Sequence, residues 1–156
     1  MKGVSTVMLA LTAVLCGATL VRAGELALGN AQGQPGHTVT VPLVYMAGPR
    51  AAAAVASDIR FDARALRNPR CAAGGALNGT GKQVRCAEPK RGLLRIAIFG
   101  LNLSAVPNGE VAQVTFDVSP NAPFRRYALR QRASAADAEG KDFLLKHRNA
   151  KLSVGG

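Results

Sequence analysis

Tryptophan is absent from this 156-residue sequence, and other aromatics are scarce, at two tyrosines and five phenylalanines. Binding of sugar rings or unstacked bases commonly uses a row of exposed aromatic faces, and so small a supply argues against one. Histidine is rarer still. His37 follows a Pro-Gly turn and His147 sits between Lys146 and Arg148, so both read as surface residues rather than as general bases. Acidic residues number nine against twenty basic ones. Asp58, Asp62, Asp117, Asp137, Glu139 and Asp142 are scattered over strands and turns. A glycosidase needs two carboxylates facing one cleft, and nothing in their spacing singles out such a pair. No Gly-x-Ser-x-Gly elbow or Cys-His pairing is present. Catalysis is therefore the least supported class, and no cofactor is expected. Asp137, Glu139 and Asp142 surround Gly140 but lack the length and order of a calcium loop, so the segment reads as a turn.

Long hydrophobic runs are also missing, with one exception. Met1-Lys2 gives a positive start, Val4 to Leu20 is apolar, and Val21-Arg22-Ala23 ends in the small residues that signal peptidase reads. Residues 1–23 are expected to be a secretory signal peptide cleaved after Ala23, leaving one domain over 24–156. The run is short for a retained membrane anchor, and Leu15 before Cys16 does not suit a lipidation site. The membrane thus enters only through the signal, and the expected location is secreted, periplasmic or cell-surface.

Of three cysteines, Cys16 would leave with the signal. Cys71 and Cys86 remain, and two thiols in an oxidising compartment read as a disulfide. Too few ligands accompany them for zinc. The bridge would close a loop rich in glycine and alanine.

The net charge is +11. The arginines and lysines are dispersed, and neither a basic helix nor a stacking platform accompanies them, so nucleic acid is not the expected partner. Weak attraction to acidic polymers or an anionic surface is the alternative use of the charge.

Short alternating segments dominate what is there, the first started by Leu26 and Leu28 and followed by the turn Gln32-Gly-Gln-Pro-Gly36. Val39, Val41, Leu43 and Tyr45 alternate with Thr38, Thr40 and Pro42, which is the period of a half-buried strand. Pro42 removes a ladder donor and suggests an edge or a bulge. Val55, Ser57, Ile59 and Phe61 share one face of the next segment, with Pro49 before them outweighing the helix propensity of the alanines. Asp62 to Leu66 reads as one helical turn. Leu94, Ile96 and Ile98 point inward from Leu93 to Phe99. Ala112, Val114, Phe116 and Val118 do so from Glu110 to Val118. Tyr127 and Leu129 mark another strand, Ser134 to Gly140 a turn, and Phe143 to Lys146 and Ala150 to Val154 close the chain. Nine short strands with almost no helical period predict an all-β fold, a nine-stranded jelly-roll β-sandwich. Asn78-Gly-Thr80 and Asn102-Leu-Ser104 match the glycosylation triplet and read as turns.

Five of these segments, in this order, resemble a cohesin domain, the β-sandwich that anchors dockerin-bearing proteins. They are Gln34-Pro-Gly-His-Thr-Val-Thr-Val-Pro-Leu43, Ser57-Asp-Ile-Arg-Phe-Asp-Ala-Arg-Ala-Leu66, Leu94-Arg-Ile-Ala-Ile-Phe-Gly100, Asn108-Gly-Glu-Val-Ala-Gln-Val-Thr-Phe-Asp-Val118 and Ser134-Ala-Ala-Asp-Ala-Glu-Gly140. The resemblance covers nearly all of residues 24–155. It implies a non-catalytic role linked to polysaccharide-degrading or cell-surface assemblies. It also implies a helical, dockerin-like partner on the sheet formed by strands three, five, six and eight.

By that resemblance the partner face would show Ala54, Ala56 and Asp58 from the third strand and Arg95, Ala97 and Phe99 from the fifth. Val111, Gln113 and Thr115 would come from the sixth. Small residues around Phe99 could accept an amphipathic helix, rimmed by Asp58, Arg95 and Gln113. The family usually carries Asn or Asp on its third strand where this chain has Ala54 and Ala56. Two other readings remain open: a carbohydrate-binding module recognising a polysaccharide, for which only Tyr45, Phe99 and Phe124 are spare aromatics, and a basic structural or adhesion domain of the envelope.

Overall fold

Residues 24–155 are described by a computed structural model, so the expected signal peptide and its Cys16 lie outside the described residues. Twelve strands occupy this length: β1 (Glu25–Leu28), β2 (Ala31–Gly33), β3 (Thr38–Met46), β4 (Ala54–Arg60), β5 (Leu66–Ala73), β6 (Gln83–Lys90), β7 (Leu93–Phe99), β8 (Gly109–Val118), β9 (Arg125–Ala136), β10 (Asp142–Leu144), β11 (Lys146–Arg148) and β12 (Ala150–Val154). One sheet has the order β11-β1-β3-β8-β5, and the other runs β2-β12-β9-β4-β7-β6 with β10 added beside β9. The inward residues of both form one continuous core, so the expected β-sandwich is present.

The count is twelve rather than nine, and three local features separate the observed strands from those that alternation alone marks. The opening strand breaks at Gly29-Asn30, where the chain passes from one sheet to the other. A side chain at Gly29 would bring Cβ within 2.6 Å of Pro42 Cγ, so only glycine lets the chain cross there. The late segment divides into β10 and β11, which pair with different sheets. Finally, the flanks of the cysteine loop are themselves strands. β5 and β6 are edge strands with burial patterns too exposed to leave an apolar alternation.

Cys71 on β5 and Cys86 on β6 form the expected disulfide, with Cα atoms 6.2 Å apart. It joins the edge of one sheet to the edge of the other. Between them the chain makes a 3₁₀ turn, Gly75–Leu77, entered through Gly74. A Cβ at Gly74 would collide with the Glu110 carbonyl, so β8 can lie against this turn only if a glycine is there.

The inward sets expected from alternation are where they should be. Ile59, Leu94, Ile96, Ile98, Val114, Phe116 and Leu129 are all nearly or fully buried, and the Phe61 and Phe116 rings lie 5.0 Å apart at a tilt. Tyr45 is a correction: it is fully buried rather than spare, opposite side-chain-free Gly109. Pro42 is not on an edge strand but directly precedes a register shift at Leu43/Val44. β9 also runs to Ala136, so the turn that follows is shorter than expected. In it Asp137 accepts the N–H groups of Glu139 and Lys141 and pairs with Arg50 at 2.6 Å. Asp62 likewise closes its turn by accepting the Arg64 N–H.

A buried polar side chain links the two sheets. Gln131, inward on β9, donates to the carbonyls of Leu26 and Arg148 in the opposite sheet and accepts from Ser57 of β4.

Candidate binding face

The outward side of β9-β4-β7-β6 follows from period two. β4 contributes Ala54, Ala56, Asp58 and Arg60, while β7 contributes Arg95, Ala97 and Phe99. Register then sets the rows across the sheet. Ala56 lies between Ala97 and Ser134, and that row continues to Arg85 on β6 and Leu144 on β10. The next row sets Asp58 between Arg95 and Arg132, and the one after sets Arg60 opposite Arg130.

The first of these rows is flat. Alanine and serine rise little above the backbone, and the large apolar side chains stand around them. Phe99 is 36% exposed and Leu144 is 84% exposed. β7 runs out into a loop with Leu101 and Leu103 exposed. That loop is braced from beneath. Lys82, almost wholly buried, donates to the carbonyls of Ala53 at 2.8 Å and Asn102 at 3.0 Å. Burial pulls its pKa below the ordinary lysine value.

Asp58 and Arg95 make a two-pronged pair at 2.9 and 3.1 Å across β4 and β7. The Arg95 hydrogen bonds hold the Asp58 carboxyl below the usual carboxylate range, against a smaller opposing effect of burial.

The structure brings together Ala54, Ala56, Asp58, Arg95, Ala97 and Phe99. Val111, Gln113 and Thr115 do not join them. They belong to β8, in the opposite sheet. Gln113 hydrogen-bonds Glu110 there, and the Thr115 hydroxyl meets that of Thr40 at 3.1 Å. Val111 is not outward at all. Opposite the Leu43/Val44 step the register of β8 jumps from Ala112 to Glu110, so Val111 is the extra residue of a bulge. The bulge resets the alternation and leaves Val111 and Ala112 both fully buried. In place of β8 the face contains β6 and β9, whose Arg85, Arg130, Arg132 and Ser134 had not been assigned to it. The alternation of Arg126, Ala128, Arg130 and Arg132 around Tyr127 and Leu129 was the available signal for β9.

Among the described residues no cluster of His, Cys, Asp or Glu is placed to hold a metal ion.

No family model matches the sequence, and no curated protein matches it. Solved structures do. The sixth cohesin of scaffoldin B from Acetivibrio cellulolyticus, solved with the Cel5 dockerin, superimposes with a TM-score of 0.73 at 16% identity, covering 85% of this chain and 99% of that one. CaCohA2 from Clostridium acetobutylicum gives 0.69 at 21% identity over 86% and 92%. A non-cellulosomal cohesin from the archaeon Archaeoglobus fulgidus gives 0.67 at 13% over 86% and 92%. The fold is that of cohesin domains. Within this cohesin fold, the face described above is built from four strands of the larger sheet, with small residues at its centre.

Proposed function

We propose that this chain is a non-catalytic binding module of cohesin type that seats a helical, dockerin-like protein on the outer face of β9-β4-β7-β6. The observation that carries the reading is the pairing of a complete cohesin fold with a flat alanine-serine row flanked by exposed Phe99 and Leu144. Interface cores favour a large apolar anchor in a setting that excludes water, and a helix can approach closely only where side chains are short. The amino-terminal pattern and the disulfide support export, and a cohesin-type role would connect the module to polysaccharide-degrading or surface-attached assemblies.

The test is capture from the secreted fraction of the source organism with residues 24–156 as bait, followed by titration of the recovered partner. A partner carrying paired calcium-loop helices is expected. Phe99→Ala should weaken it by about 2 kcal/mol with the fold intact, and Ala56→Arg should block it. Normal binding by both folded variants would move the site off this face.

A further inference from the structure

The same face carries a strip of positive charge. Below the alanine-serine row, β9 presents Arg126, Arg130 and Arg132 outward, with Arg60 of β4 on one side and Lys151 of β12 on the other. Arg85 adds to it from β6. Among the described residues none of these six cations lies in an ion pair. Asp58, which stands opposite Arg132, is held by both prongs of Arg95.

Two features set this strip apart from ordinary surface arginine. Arg60 and Arg130 stand directly opposite each other across neighbouring strands, an arrangement that costs stability between like charges. The strip also adjoins the apolar half of the face without a break, since β9 continues from Arg132 into Ser134 and Ala136 beside Ala56 and Ala54.

We propose that the partner of this face is an acidic helical protein, whose carboxylates lie along one helix beside an apolar patch. This rests on the reading of the face as a dockerin-type site and adds the partner's chemistry to it. From Arg126 to Arg132 the strand advances about 20 Å at its usual rise per residue. A helix laid along it turns once every ~5.4 Å, so three or four carboxylates at i, i+4 spacing match its length. An acidic polysaccharide would answer the charge, but it would leave the adjoining apolar half of the face, with Phe99, Ala97, Ala56 and Leu144, without an occupant. A protein helix with an acidic and an apolar stripe meets both halves at once.

The experiment uses purified dockerin modules chosen for acidic or for neutral-to-basic helix surfaces, with polygalacturonate as a further probe. Each is titrated against residues 24–156, against Arg130→Glu/Arg132→Glu, against Phe99→Ala, and against Arg67→Glu/Lys146→Glu, which changes the same charge elsewhere. Binding of acidic dockerins that falls about tenfold or more on reversal of Arg130 and Arg132, but not of Arg67 and Lys146, supports the proposal. Binding of neutral dockerins that ignores Arg130→Glu/Arg132→Glu and is lost with Phe99→Ala overturns it while leaving the dockerin-type reading standing. Binding of polygalacturonate alone, lost on the same reversal, overturns both. So does an absence of binding to any of the probes.

Discussion

Replacing Gln131 by alanine should be among the most damaging single changes in the core, although no apolar packing is at stake. The side chain is 3% exposed and makes three hydrogen bonds: to the Leu26 carbonyl at 2.7 Å, to the Arg148 carbonyl at 2.8 Å, and from the Ser57 hydroxyl at 2.8 Å. Each is worth about 1 kcal/mol net, and a buried group left unpaired costs about 1–3 kcal/mol. Leu26 O and Ser57 Oγ lose this partner inside the core, so Gln131→Ala is expected to cost about 3–5 kcal/mol. That is a large share of the roughly 5–15 kcal/mol typical of a domain. Gln131→Leu preserves volume and removes the same three bonds, so it should cost nearly as much, whereas Ser57→Ala removes one bond, leaves the Gln131 amide oxygen without its donor, and should cost about 1–3 kcal/mol. Urea unfolding by fluorescence and circular dichroism reads these as midpoint shifts at constant slope. The double variant Ser57→Ala/Gln131→Leu should be less damaged than the sum of the singles, because the orphaned hydroxyl has gone. A loss below about 1 kcal/mol for Gln131→Ala, or strict additivity of the pair, would refute the idea that this amide ties the two sheets together.

Replacing both Cys71 and Cys86 by serine should lower stability by about 3 kcal/mol for a loop of this size. Hydrogen exchange should quicken mainly in β5 and β6, and uniform quickening would count against the bridge as a clamp on two edges. Asp58, Asp62, Asp117 and Asp137 all have carboxyls held below their ordinary range, chiefly by Arg95, the Arg64 N–H, Asn68 and Arg50 respectively. Their folded values lie below the unfolded value of about 3.9. Their stabilisation is therefore complete above that pH and is lost as pH falls through the folded values, so melting temperature should drop from pH 4 towards pH 2 and hold steady from pH 5 to 7. Lys82→Met strips the Ala53 and Asn102 carbonyls of their donor, and exchange in residues 100–108 should quicken while that in β4 and β7 stays slow.

Much of the fold was legible because its central strands are strongly one-sided. Val39-x-Val41-x-Leu43, Leu94-x-Ile96-x-Ile98 and Val114-x-Phe116-x-Val118 each announce their buried face, and each lies deep in the core. Edge strands give no such signal. β5 and β6 bury little, and their Arg, Pro and Ala content resembles that of a loop. The bulge at Val111 was equally silent, since a single extra residue follows from the register of β3 and β8 together and not from the composition of either.

Those two silences explain where the expected site went wrong. Alternation is a local property, and it placed Ala54, Ala56, Asp58, Arg95, Ala97 and Phe99 on one outward face without any knowledge of topology. Sheet membership is not local. It was assigned by counting strands, and the count passed over Gln83–Lys90, so the place that belongs to β6 went to Glu110–Val118. An error of one strand in the count carries a whole segment to the far side of the sandwich, where Gln113 and Thr115 stand. The consequence was chemical as well as geometric. With β8 as its neighbour the face looked neutral and polar, framed by Val111, Gln113 and Thr115. With β6 and β9 in place it gains Arg85, Arg130 and Arg132 beside Arg60. The dispersed basic residues of the sequence thus include a directed set, because period two along β9 turns Arg126, Arg130 and Arg132 to the same side as the alanines that leave room for a partner.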